Sequence, residues 1–319
     1  MTRTLIVQSY RDHDIPPWIA RCLASVRSWA LQHGHDYRLV GDEAFALCGP
    51  DYLASVGADL RAITNLARLE LVKAAHGEGY DLAVWVDADV LVFAPGAWSI
   101  DTVERYAFAR ETWIELDTSG RGRVFSAVNN SVFVCRHGEP DLDFLIAATR
   151  HVALHRQLAD NYQVGGDLIK GLRSSLAFET LPTVGMFSNF TVLALARGAD
   201  ELVALQARRH GGPVYAANLC ASGNYAPPVS EAEAAAAIEA LLSTGGQAVN
   251  RWLDGSPGLA IGQEIHFDAS TPAARAIAGA DESPPSPPPP SPPAASLRQR
   301  IAGLVSGMFH TLRGGGDTR

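Results

Sequence analysis

Basic residues, cysteines and long apolar runs are all scarce in this chain. Lys and Arg number 26 against 34 Asp and Glu, for a net charge of -8, so the overall basic field that a nucleic-acid surface requires is missing. An anionic substrate must be handled by a local site. Cys22, Cys48, Cys135 and Cys220 are the only cysteines in 319 residues. They are far apart, with neither metal-ligand spacing nor the density of a secreted disulfide scaffold, and are expected to be buried thiols. No stretch approaches the roughly 20 apolar residues that span a bilayer. The opening Met-Thr-Arg-Thr-Leu-Ile-Val-Gln-Ser-Tyr reads as a first strand and not as a signal peptide, so the expected compartment is the cytoplasm.

What the chain does have is 47% hydrophobic residues and six Trp, enough for a large α/β core. Its most informative stretch is Leu82 to Phe93, where Asp87 and Asp89 interrupt an apolar run that otherwise reads as a buried strand. A carboxylate removed from water costs several kcal/mol unless something positive or hydrogen-bonding meets it, and two together also repel. On an extended chain, residues i and i+2 project to the same side, so a divalent cation would answer both problems. Hard cations such as Mg2+ or Mn2+ favour such oxygens and share them with phosphates. The alternative, a turn after a strand, is disfavoured by the apolar flanks on both sides.

Along the chain, Thr4 to Gln8 reads as a strand. Pro16-Pro17 then opens a helix with Trp18, Ile19, Cys22, Leu23, Val26 and Trp29 at helical spacing, and Tyr37 to Val40 resumes as a strand. Strand, helix, strand in this order opens a parallel βαβ unit. A helix is predicted over Asn65 to His76, stopped by Gly77 and Gly79. Further strand residues fall within Arg123 to Cys135, a helix over Asp141 to Leu158, and a Ser230/Glu233 capping box opens a helix running to about Leu242. From Asp281 the Pro-rich stretch predicts an extended spacer (281–295). Residues 296–313 follow as a basic amphipathic helix, and 314–319 as a flexible tail. That helix suits a peripheral membrane anchor, a partner contact, or docking on its own domain, which ends near residue 280.

The order of these features resembles the nucleotide-sugar glycosyltransferases of the GT-A fold. Thr64-Asn65-Leu66-Ala67-Arg68 is similar to the Ser-Asp-x-x-Arg motif that precedes the acidic pair in mannosyltransferases and clostridial-toxin glucosyltransferases. Trp18 to Leu39 looks like the start of those families, and Asn129-Asn130-Ser131-Val132-Phe133-Val134 is similar to their Asn-containing strand beneath sugar and acceptor. The likeness covers residues 4 to 170. It implies an α/β fold of GT-A (Rossmann-like) type, with a mixed, mostly parallel sheet flanked by helices. It also implies Mn2+ or Mg2+ held by Asp87 and Asp89, with Asp87 near ribose or sugar and Asp89 the direct ligand, and donor oxygens met by Arg68. The chain departs from the motif at Asn65, where the family has Asp.

Several residues complete the expected site. Gln8, Ser9 and Tyr10 lie at the first strand end, in the crevice where a nucleotide base would sit; Tyr10 would stack on the base or pack on the domain. Asp167, after Gly165-Gly166, and Asn130 are the catalytic candidates near the anomeric carbon and acceptor, with a helix N-cap as the alternative for Asp167. A surface ion pair is the alternative for Arg68, and a third metal ligand is sought in Asn218 or His266. The resulting expectation is a metal-dependent hexosyltransferase, retaining by resemblance. It would use a UDP- or GDP-hexose and a glycan or lipid-linked acceptor in polysaccharide biosynthesis, with no nucleic-acid partner. A non-catalytic glycan-binding scaffold is the rival. A phosphohydrolase or nucleotidyltransferase fits worse, because Val90-Leu91 follow the pair and Gln8-Ser9-Tyr10-Arg11 is not a Gly-rich loop.

Overall fold

The computed structural model describes residues 2–155, 164–220 and 225–279. Strand β1 (Thr4–Ser9) leads through α1 (Pro17–Gln32) to β2 (Asp36–Val40). A 3-10 helix over Asp42–Cys48, α2 (Pro50–Val56) and α3 (Leu60–Gly77) precede β3 (Leu82–Val86) and β4 (Val90–Val92). Then come β5 (Tyr106–Leu116), β6 (Arg121–Arg136), α4 (Asp141–His155), α5 (Gly166–Leu172), β7 (Glu179–Leu181) and β8 (Val184–Met186). The remainder is α6 (Asn189–Arg197), α7 (Asp200–His210), β9 (Ala216–Asn218), α8 (Glu231–Ser243), α9 (Gln247–Asn250), β10 (Glu264–Asp268) and α10 (Pro272–Ile277). The spacer, amphipathic helix and tail expected over 281–319 lie outside the described residues, as do 156–158 of the helix expected to reach Leu158. No helix among the described residues is long and apolar enough to cross a membrane.

The main sheet is mixed, in the order β2-β1-β3-β6-β5-β7 with β10 added to β6. Strand β1 runs parallel to β2 and β3, and β7 parallel to β5; β6 is antiparallel to β3, β5 and β10. Its centre is apolar on both faces. In β3, Ala83 and Trp85 face one core with α3 and α4, while Leu82, Val84 and Val86 face another with Val26, Trp29 and Ala30 of α1. That alternation follows from the period of two in a strand, and it makes β3 a buried strand with helices on both faces. The helical period expected for α1 is what buries Trp18, Ile19, Cys22, Leu23, Val26 and Trp29. All four cysteines are free and buried, and the capping box forms, Ser230 N donating to Glu233 Oε2 at 2.9 Å.

Two expectations need correction. Helix α3 begins at Leu60, five residues before Asn65, because the Asp59 side chain caps it by accepting from Arg61 N and Ala62 N. More consequentially, Leu82 to Phe93 is not one strand. Strand β3 ends at Val86, Asp87 to Val90 form a turn closed by Val90 N donating to Asp87 O at 3.1 Å, and β4 joins a second, three-stranded sheet in the order β4-β9-β8. The apolar run is continuous because both halves are buried. It belongs to two sheets, and the two carboxylates sit at the switch between them.

Candidate functional site

The turn fixes the backbone of both aspartates. Asp87 N donates to Ser131 O at 2.7 Å and Leu219 N to Asp89 O at 3.0 Å, so the turn is pinned between β6 and the residues after β9. The two side chains are held unequally. Asp87 Oδ1 accepts the Trp85 indole N–H at 2.6 Å and lies 3.4 Å from Arg68 Nη1. Asp89 Oδ1 accepts an amide hydrogen bond from Asn218 Nδ2 at 2.7 Å. Burial pushes the Asp87 carboxyl up, opposed by Arg68 and the indole. The Asp89 carboxyl is pushed up to about 7, first by burial and then by the charge of Asp87.

Such a pair fits a hard divalent cation. Among the described residues no third His, Cys, Asp or Glu joins the pair; Mg2+ or Mn2+ held there would take the two carboxylates and complete its shell with substrate phosphates and water. Of the two candidates for a further ligand, the fold brings in only Asn218. Its amide nitrogen faces Asp89 while its Oδ1 accepts from Cys220 N at 2.8 Å, so it orients the carboxylate. His266 lies on β10 opposite Arg123, 77% exposed beside Glu264, and does not reach the pair.

Two cleft halves meet at the carboxylates. One, of about 520 Å³, is walled by Ser9, Tyr10, Pro16, Trp18 and Ile19; the other, of about 570 Å³, by Glu111, Asn129, Asn130, Gly165, Asp167 and Lys170. Thr64, Arg68, Asp87 and Asp89 line both. Ser9 and Tyr10 thus line the first half, beside the carboxylates. Gln8 does not: its side chain is buried behind the turn, donating from Nε2 to Asp87 O at 3.1 Å and accepting from Tyr37 Oη at 3.0 Å. It positions the turn and leaves the crevice to its neighbours.

Arg68 is 8% exposed, which rules out a surface ion pair. Its Nη1 donates to Asn130 O at 2.7 Å, tying α3 to β6 as well as to Asp87. Asn130 Nδ2 in turn donates to Asn65 Oδ1 at 2.9 Å. Asn130 owes its position to an irregularity: β5 pairs Phe108 with Phe133 and Ala109 with Asn129, so residues 130–132 bulge out of that ladder. A bulge re-aims side chains, and here Asn129 Oδ1 braces it by accepting from Ser131 N at 2.7 Å. Gly165 packs against this knot, for a Cβ there would meet Asn65 Nδ2 at 2.7 Å.

Asp167 lies in the first turn of α5, exposed on the cleft and 3.7 Å from Lys170 Nζ. The helix N-cap is Gly165, so capping is not the work of Asp167. One site residue escaped the sequence reading. Glu111 of β5 is 6% exposed and lines the same half, with Lys170 Nζ at 3.8 Å and Asn129 Nδ2 at 3.5 Å. Burial pushes its carboxyl up, with Lys170 opposing. The available signal was weaker than at Asp87: the strand Tyr106 to Ile114 is largely apolar, but Arg110 and Thr112 flank Glu111 and give it the look of a polar patch.

No protein-family model matches the chain, and no curated protein matches it. Solved structures do. A glycosyltransferase involved in the glycosylation of the major capsid of PBCV-1 is 9% identical with a TM-score of 0.45, over 74% of this chain and 98% of that one. Mouse xyloside xylosyltransferase 1, in its apo form, is 11% identical with a TM-score of 0.36, over 72% of this chain and 99% of that one. Neither is close enough to carry a function across, and the site's own chemistry must supply it.

Proposed function

We propose that this protein is a metal-dependent glycosyltransferase that moves a hexose from a UDP- or GDP-sugar to a glycan or lipid-linked acceptor. The observation that carries the reading is the pair Asp87 and Asp89, crowded on one turn where two cleft halves meet. A divalent cation held there would supply Lewis-acid stabilisation of the charge that builds on a departing diphosphate. The chain's own residues divide the remaining work. Trp85, Arg68 and Gln8 preset Asp87, and Asn218 aims Asp89. The half walled by Tyr10 and Trp18 offers an aromatic, mostly apolar surface for a base, outside the carboxyl end of a parallel strand. The half with Glu111, Asp167 and Asn130 offers carboxyl and amide oxygens to sugar and acceptor hydroxyls, and Glu111, pushed up by burial, is the better placed to hold or exchange a proton. Retention of anomeric configuration rests on the sequence resemblance.

The cytoplasm is the compartment we propose, supported by four free buried thiols, which suit a reducing environment. The rival scaffold reading is less economical, since a protein that had lost turnover has no need of two part-buried carboxylates on one turn with Asp89 raised by burial and by Asp87. Binding and hydrolysis across a panel of UDP- and GDP-sugars, with Mn2+, Mg2+ or EDTA, tests the proposal on the wild type and Asp89→Ala. Metal-dependent binding of one donor, lost in the variant, is expected. Absence of binding to every nucleotide sugar overturns the proposal.

A further inference from the structure

The half-cleft lined by Glu111 and Asp167 does not end at its rim. It opens into an outer groove of about 310 Å³ that shares Arg123, Phe125 and Lys170 with it and adds Arg173. The sign of charge changes along this path. The inner part carries Asp87, Asp89, Glu111, Glu115 and Asp167 against Arg61 and Arg68, with Arg123 and Lys170 at the boundary, whereas the outer groove adds Arg173 to those two boundary cations and has one carboxylate, Glu264. A cationic groove stands out on a chain of net charge -8.

The cations are incompletely spent. Arg123 is engaged, 2.6 Å from Glu115 and 3.5 Å from Glu264. Lys170 lies 3.8 Å from Glu111 and 3.7 Å from Asp167, beyond good hydrogen-bond range. Arg173 Nη1 donates to Ile261 O at 3.1 Å, and among the described residues no carboxylate pairs with it. Between them lies the half-buried Phe125 ring, with Arg123 Cζ 5.2 Å and Lys170 Nζ 5.9 Å from its centroid. An aromatic face with cations at its rim can seat a sugar ring and meet an anionic substituent beside it.

We propose that this groove is a distal acceptor subsite for an anionic group, a carboxylate or a phosphate, carried beyond the reacting hydroxyl. The proposal rests on the glycosyltransferase reading. The excess of carboxylates over arginines in the inner cleft disfavours such a group there, so the acceptor enters with an uncharged reacting end and its charge trailing outward, and the field of the groove sets that orientation.

The test is titration calorimetry on the full-length protein at low salt, in EDTA so that the carboxylate pair holds no metal. The probes are tetragalacturonate, inorganic tripolyphosphate and uncharged maltotetraose. At least one anion is expected to bind about tenfold tighter than maltotetraose, with the advantage shrinking at high salt, lost in Arg173→Gln and kept in Arg173→Lys. The stronger anion names the carboxylate or the phosphate as the source. Thermal melting and Mn2+-nucleotide binding of both variants should match the wild type. Equal binding of anions and neutral sugar, or an Arg173→Gln protein that loses nothing, overturns the subsite. If anion preference stands while nucleotide binding is absent from the wild type, the acceptor role fails with the transferase reading; if nucleotide binding stands without anion preference, the subsite fails alone.

Discussion

On the side of Tyr10 and Trp18, the cleft is walled by the end of β1, the start of the α1 that follows it, and the end of β3, which pairs in parallel with β1. On the side of Glu111 and Asn130 it is walled by a long antiparallel hairpin with a bulge at residues 130–132, by the short α5, and by Asn218, which reaches Asp89 from 129 residues away. The two aspartates also differ. Both line the two halves, yet Asp87 is met by Trp85, Arg68 and, through its carbonyl, Gln8, whereas Asp89 is met by the Asn218 amide. The carboxylate met by an indole and a guanidinium is preset, and the one met by an amide leaves a charge that a ligand must answer.

The largest expected effect breaks the seam itself. Asp87→Ala and Asp89→Ala should each lower donor turnover by roughly 100- to 1000-fold, a loss typical of removing one group that stabilises transition-state charge, measured as nucleotide release with Mn2+. A smaller change sharpens the asymmetry. Trp85→Phe keeps a ring 5.3 Å from the Arg68 guanidinium but removes the indole hydrogen bond to Asp87, and should weaken Mn2+ binding about 10- to 100-fold, the usual range for groups that orient metal ligands. Replacing Asn218 by Ala should cost less nucleotide affinity than Trp85→Phe if Asp87 is the preset carboxylate.

The acceptor wall is probed by Gly165→Ala. Its Cβ would meet the Asn65 amide at 2.7 Å, so Asn65 must leave Asn130, and thermal stability should fall by about 1–3 kcal/mol with acceptor use affected more than donor binding.

The smallest effect concerns Asp89→Asn in metal-free protein. The folded-state carboxyl is raised to about 7, above its unfolded value near 4. Between those values the unfolded chain has released a proton that the folded chain keeps, so stability is full below about pH 4 and is lost as pH rises toward 7. The Asn variant lacks this loss. Its melting temperature should match the wild type near pH 4 and exceed it increasingly up to pH 7, by an amount worth about 1 kcal/mol or more, and Mn2+ with nucleotide should erase the difference. Asp87→Asn should instead destabilise, because it leaves the buried Arg68 guanidinium without its counter-charge.

How much of this was legible in the sequence follows the same division. The first strand, α1 and the carboxylate pair were readable, because local periodicity and a charge inside an apolar run carry their own signal. The turn at Asp87 was not, since burial in two different sheets gives one uninterrupted apolar stretch. Gln8 looked like a crevice residue until β1 was placed against β3, which turned it inward onto the carbonyl of Asp87. Glu111 was masked by Arg110 and Thr112 beside it, and the bulge at Asn130 and the choice of Asn218 over His266 depend on strand pairings between distant segments, which no local pattern encodes. Arg68 was expected as a donor contact, and the fold adds its tie to Asn130.

The central claim is that the turn at Asp87 and Asp89 holds a divalent cation against a nucleotide diphosphate, and Mn2+ titration followed by electron paramagnetic resonance, with and without UDP or GDP, addresses it most directly. The account expects Mn2+ to bind, to bind more tightly when one of the nucleotides is present, and to lose that gain in Asp89→Ala. Mn2+ binding that ignores the nucleotide, or that is the same in Asp89→Ala as in the wild type, would contradict it.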